Sequence, residues 1–144
     1  MSKEYSDVSG AATIKISKSN RINVPKFSNL KVGDEVVPRY SLDYDSIVFM
    51  PLAEFEAKTN KLLSDIRADV LANNISSEKE RALIRYYGGT LSLPKVKVDA
   101  HGTLLLYPEI IEKLNLDGKA FVIARNNTLE LYRDEETYNK RKAK

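Results

Sequence analysis

Ile14-Lys15-Ile16-Ser17-Lys18-Ser19-Asn20-Arg21-Ile22-Asn23-Val24-Pro25 is an alternating apolar stretch broken by a polar turn, and its plan returns 82 positions on (14 to 96). The second copy reads Val96-Lys97-Val98-Asp99-Ala100-His101-Gly102-Thr103-Leu104-Leu105-Leu106-Tyr107. In each, a half-buried strand is expected to meet a turn and a second apolar strand to follow. Pro25 or Pro108 then opens a short helix. Asn20 suits the first turn because asparagine tolerates positive φ. The copies share a shape but not a charge, since Arg21 of the first corresponds to Thr103 of the second. An internal repeat of this kind constrains the fold more than any single residue does.

Outward from the first copy, residues 1–10 are polar and aperiodic and read as a flexible arm. Strands are expected from Ala12, over Arg21 to Val24, and as a hairpin of Glu35 to Tyr40 and Ser46 to Met50 around Asp43-Tyr44-Asp45. The first helix should run from Pro25 to near Leu30. Pro51 opens a helical run carried by Leu52, Phe55, Thr59, Leu62, Leu63 and Ile66. Asn73-Asn74 interrupts it. Ser77 and Glu80 form a capping box for a helix bearing Leu83, Ile84 and Tyr87 that ends at Gly88-Gly89. The second half repeats the plan: strand Leu91 to Val98, turn, strand Thr103 to Tyr107, helix Pro108 to Leu114, strands Ala120 to Arg125 and Thr128 to Tyr132. A terminal helix starts near Asp134, and the tail Lys140 to Lys144 is expected to fray. The resulting division is an arm 1–10, a first module 11–56, a helical connector 57–90, a second module 91–137 and a basic tail 138–144.

At 144 residues the chain fits two modules of roughly 55 residues sharing one core, since so short a unit buries too little apolar surface alone. Mutual packing or oligomerisation is therefore expected. Apolar residues make up 42% and charged residues 30%, the balance of a soluble globular protein, and no apolar run nears 18 residues. No basic-then-apolar leader is read, so a cytoplasmic location and no membrane partner are expected. With no cysteine and one histidine, His101, the chain offers no metal ligand set, and no cofactor motif or small-molecule substrate site is evident. Net charge is only +3, but Lys15, Lys18, Arg21, Lys26, Lys31 and Arg39 make the first module locally basic. His101 in a turn, and the acids Asp34, Glu35, Asp43 and Asp45, have no partner placed for catalysis, so no enzyme is expected.

Several segments in their order and spacing resemble the bacterial MraZ family, tandem SpoVT/AbrB-like modules of the swapped-hairpin type. They are Asn20 to Pro25, Val32-Gly33-Asp34-Glu35-Val36-Val37, Phe49 to Phe55, Glu80 to Tyr87, Asp99-Ala100-His101-Gly102 and Leu129-Glu130-Leu131-Tyr132. The resemblance covers nearly the whole chain after residue 10. It implies an α+β, mainly β fold in which two swapped-hairpin AbrB-like modules form one pseudo-symmetric, double-psi-like barrel flanked by helices. It further implies a nucleoid-associated transcription regulator that binds repeated duplex DNA sites and assembles into a homo-oligomer, a ring in that family. The family's contact motif is an Asp followed four residues later by an Arg. Here Arg21 is preceded by Ser17 rather than Asp, and Asp99 is followed by Thr103 rather than Arg.

The departure has a physical reading. An anion near DNA phosphates is better suited to bracing a turn than to touching DNA, so Ser17, Asp99 and Gly102 are read as turn-bracing residues. Arg21 can read guanine bidentately or grip phosphate, which Thr103 does less well. Arg21 is therefore the expected DNA contact, exposed on the first hairpin, with Lys15, Lys18 and Lys26 as phosphate partners and Asn20 able to reach adenine. The alternative is an assembly or protein-interaction protein, antitoxin-like or phage-derived, whose hairpins serve protein contacts. Tyr86, Tyr87 and Tyr132 are assigned to the core rather than to base stacking.

Overall fold

Strict alternation along the long strands sends every second side chain to one side, and that side is apolar. The computed structural model describes residues 8–41, 44–72, 76, 78, 79, 92–125 and 128–143. In chain order the elements are β1 (Val8–Lys15), β2 (Arg21–Asn23), β3 (Glu35–Tyr40), β4 (Ser46–Pro51), α1 (Leu52–Leu71), β5 (Val96–Lys97), β6 (Thr103–Leu105), α2 (Pro108–Lys113), β7 (Lys119–Arg125), β8 (Thr128–Tyr132) and α3 (Glu135–Ala143). The architecture is α+β and mainly β.

Six strands form one antiparallel sheet in the order β1-β7-β8-β4-β3-β5, and β2 pairs with β6 in a second, two-stranded sheet. Exchanging the two halves of the chain turns this order into its own reverse. The first strand of each half pairs with the third strand of the other, β1 with β7 and β5 with β3. Interleaving thus occurs within a single chain. Val36, Tyr40, Ile47, Phe49, Ala120, Val122, Ala124, Leu129 and Leu131 fill one face of the large sheet, and Ile22, Val98, Leu104, Leu106 and Ile110 close over it. On the outer face, Phe121, Ile123 and Tyr132 pack under Tyr138 of α3.

Several sequence expectations are corrected. Residues 8–10, placed in the arm, belong to β1, with Val8 opposite Arg125 and Gly10 opposite Ala124. No helix forms between Pro25 and Leu30: the Ser28 amide donates to the Pro25 carbonyl in a single turn, and the Ser28 hydroxyl accepts from the Leu30 amide. Serine there bonds the backbone locally, and asparagine is a poor helix former, whereas Glu109-Ile110-Ile111-Glu112-Lys113 after Pro108 sustain α2. The strand expected over Leu91 to Val98 shrinks to β5, with Ser92 making an isolated bridge to Arg39.

As far as Ala143 the tail is helical rather than frayed. Asp134 caps α3 through its Thr137 amide contact (2.8 Å), and Arg141 reaches back to Asp45 and to the Ser46 hydroxyl. α3 therefore continues to Ala143. The Ser76 hydroxyl accepts from the Lys79 amide; the capping box expected of Ser77 and Glu80 lies outside the described residues. The expectations for Asp43, for Leu83, Ile84, Tyr86 and Tyr87, and for Gly88-Gly89 lie outside the described residues.

β1 also carries a close approach that fixes one position. A Cβ built on Gly10 would stand 2.4 to 2.9 Å from Phe27 Cγ, Cδ1 and Cβ, so Phe27 fills the space a side chain there would need. Gly10→Ala is expected to destabilise the protein by about 1–3 kcal/mol, the usual cost of overpacking. Urea unfolding should show a lower midpoint with an unchanged slope; wild-type stability would mean that Phe27 does not seat against β1.

Candidate nucleic-acid interface

The two copies of the repeat meet each other. Ile22 and Leu104 face across the β2–β6 pair and are both fully buried. Because side chains alternate, Arg21, Asn23 and Thr103 then project to the opposite side, away from the core. The turns that precede these strands are built alike, bond for bond. The Asn20 amide donates to the Ser17 carbonyl and the Ser17 amide to the Arg21 carbonyl, both near 2.9 Å; Gly102 to Asp99 and Asp99 to Thr103 do the same. Each turn turns its corner through a left-handed residue, Asn20 at φ 61° and Gly102 at φ 75°.

The turns are also stapled together. The Val24 amide donates to the Gly102 carbonyl (2.9 Å), and the equivalent Leu106 amide donates to the Asn20 carbonyl (2.7 Å). Their outer sides form one groove, lined by Lys15, Ser17, Ser19, Arg21, Asn23, Asp99, His101 and Thr103. It gathers two of the expected contacts, Lys15 and Arg21, and two of the expected braces, Ser17 and Asp99. Lys18 is exposed at the turn tip, Asn20 sits at the corner, and Lys26 is exposed but does not line the groove.

Asp99 is the hub of the second turn. Its Oδ1 accepts from the amides of His101 (3.0 Å) and Thr103 (2.9 Å), and its Oδ2 accepts from the Thr103 hydroxyl and from Arg21 Nη1 (3.2 Å). Ser17 makes the corresponding turn contact with a neutral oxygen, accepting from the Arg21 amide at 3.1 Å and pairing with the Ser19 hydroxyl. Arg21 is thus not simply exposed, as the sequence suggests. Its side chain is 38% accessible and ion-paired with the turn of the other half. The Asp and Arg that each repeat has singly come together across the two hairpins.

The alignment of the repeat carries residues into the groove that sequence reasoning passed over. His101, dismissed as turn chemistry, stands where Ser19 stands in the first copy, and both line the groove. Asn23 shares the parity of Arg21 on β2, a signal available in the sequence. Lys119 was invisible: it lies directly opposite Lys15 in the β1–β7 register, both exposed, and among the described residues neither has an acidic partner. Like charges placed opposite each other oppose strand pairing. Among the described residues, no group of three or more His, Asp or Glu side chains converges, and no helix is long and apolar enough to cross a membrane.

No family model matches the chain, and no curated protein matches it.

The Asp99 carboxyl is held below the usual carboxylate range by the Thr103 hydroxyl first, then by the Thr103 and His101 amides and the Arg21 charge. A lowered folded-state value means that the stabilisation is present above the ordinary carboxylate value, near pH 4, and is lost as pH falls through the folded value. Asp99→Asn should therefore destabilise the protein at neutral pH and flatten its loss of stability below about pH 4. Glu35 and Asp134, similarly lowered, leave a residual slope. Chemical denaturation across acid pH checks this; an unchanged acid slope would mean that Asp99 carries no folding linkage.

Proposed function

We propose that this protein is a duplex-DNA-binding regulator of the kind the MraZ resemblance implies, and not an enzyme. It would contact DNA through the groove between its paired turns. The finer architecture proposed with it is that of two swapped-hairpin modules closing a double-psi-like barrel, with oligomers presenting several copies of the groove. The observation that supports this reading most is the cluster of positive charge. Lys15 and Lys119 face each other on adjacent strands, Lys18 caps the turn, and Arg21 projects beside them, with Asp99 the acid of the groove. A chain gains nothing internally from opposed lysines, but a polyanion would be bound by them through counterion release.

Roles in the groove, and at its edge for Lys18 and Lys119, follow from chemistry. Lys15, Lys18 and Lys119 suit phosphate contacts, which position without reading sequence. Arg21, Asn23 and His101 carry the donors and acceptors that base edges require. Asp99 would act as a positioning residue, holding Arg21 rather than touching DNA. Oligomerisation would raise the effective concentration of each weak site along repeated DNA.

A second reading rests on the Arg21–Asp99 pair itself, whose closure within the chain is also what a structural ion pair would show. On that reading the hairpins bind protein, and the groove is merely solvated.

Fluorescence anisotropy against the protein's own upstream DNA and a scrambled duplex, across salt, separates the two. Wild type is expected to prefer its own sequence and to weaken steeply with salt. Arg21→Ala should cost about 1–3 kcal/mol of binding and lower the log–log salt slope by about one. Lys15→Gln should lower the slope with little change in sequence preference. Salt-insensitive binding, or binding indifferent to Arg21, would favour the protein-interaction reading.

A further inference from the structure

The outer face of the large sheet carries a second concentration of positive charge that shares no residue with the groove. Cross-strand register places Arg39 opposite Val48 and Val48 opposite Glu130, so these three side chains stand on one face. In the next row Met50 lies on the same face, opposite Val37. α3 covers only the β7–β8 side, where Tyr138 packs edge-on against Tyr132 and tilted against Phe121. Beside it an open cleft of about 490 Å³ remains, floored by Val48 and Met50 and walled by Arg39, Arg125 and Arg141.

The three guanidinium groups are not equivalent. Arg125 is paired with Glu130 at 2.9 Å and donates to the Tyr138 hydroxyl at 3.2 Å. Arg141 is paired with Asp45 and donates to Ser46, a buried hydroxyl. Those contacts fix both groups and neutralise their charges. Arg39 is half-buried, and among the described residues it has no acid, hydroxyl or carbonyl partner. A partly desolvated guanidinium without a counter-charge is unfavourable in the chain by itself. An anion in the cleft would supply the missing partner, and the apolar floor would receive whatever the anion is attached to.

We infer that this cleft binds a small organic anion, with an aromatic or aliphatic body on Val48 and Met50 and a phosphate or carboxylate on Arg39. Its size lies within the range of small-molecule sites, and the mixture of an apolar floor with a few convergent charged groups is the composition such sites show. Two oxygens of a carboxylate or of a phosphate match the guanidinium fork. α3 forms one wall through Arg141 and Tyr138, so an occupied cleft would also tie the C-terminal helix to β3.

The test is an amide-resolved NMR titration of the full isotope-labelled chain with naphthyl phosphate, with naphthol and inorganic phosphate as the two half-probes. Saturable shifts are expected at Arg39, Val48 and Glu130, with each half-probe binding more weakly than the whole. Arg39→Gln should weaken naphthyl phosphate by about tenfold or more while leaving naphthol unchanged. Should Arg39→Gln lose its spectral dispersion, Val48→Glu decides instead: an acid on the floor should abolish binding. The inference is overturned by shifts confined to the turns around Arg21 and Asp99, by inorganic phosphate binding as well as the aryl phosphate, or by either folded variant binding within about twofold of wild type.

Discussion

Everything in this fold depends on two reciprocal hydrogen bonds, Val24 to Gly102 and Leu106 to Asn20, which lock the turns of the two halves over the buried Ile22–Leu104 pair. Each half pairs two of its own strands, β3 with β4 and β7 with β8, but neither completes its sheet alone. β1 takes its ladder from β7 and β5 takes its ladder from β3, so removing one half would strip the other of a strand partner and of half its core. Short modules bury too little to stand alone, and interleaving is how this chain avoids that limit. The stapled carbonyls belong to the two left-handed residues, Asn20 and Gly102. The backbone corner that reverses each hairpin thus also presents the acceptor that holds the halves together.

That backbone symmetry makes the chemical asymmetry informative. At equivalent places the chain puts Ser17 and Asp99, Ser19 and His101, Arg21 and Thr103. The frame is conserved by hydrogen bonds that any residue could make, while the side chains diverge. One consequence is that the ionic pair of the site is made between halves: Asp99 holds its own turn closed with three bonds, and the Oδ2 that takes the Thr103 hydroxyl also accepts from the arginine of the other turn. A deletion confined to either hairpin would therefore disturb the charge arrangement of both.

The strands that were legible in the sequence, β3, β4, β7 and β8, are apolar-rich stretches of five to seven residues between turn residues, and α1 was legible because its apolar spacing persists along the helix. Where the reading failed, local chemistry outweighed pattern. Pro25 suggested a helix, but Ser28 and Asn29 lack the propensity to propagate one. The basic run after Lys140 suggested a loose tail, yet Arg141 finds Asp45 at the far end of the sequence, a contact that no local signal encodes. The groove was half legible. Turn chemistry and the repeat pointed to Ser17, Arg21 and Asp99, whereas the opposition of Lys15 and Lys119 required the swapped register, and with it knowledge of which half pairs with which.

Arg21 and Arg39 show how differently one side chain can be prepared for a ligand. The Arg21–Asp99 contact engages one terminal nitrogen, Nη1, and leaves the other N–H donors of the guanidinium without a described partner. Such a pair removes little binding capacity while it restricts rotamers, so part of the ordering entropy of association is already spent in the free protein. It also lowers the local positive charge, which makes the neighbouring lysines the main source of long-range attraction and Arg21 the source of geometry. Arg39 has the opposite character: among the described residues no acid holds it, and an apolar floor lies beneath. A polyanion approaching from solvent favours the first arrangement, since many weak phosphate contacts can be summed along a strand. A small anion with one charged group favours the second, since it must find its whole electrostatic partner in one residue and the rest of its affinity in apolar contact.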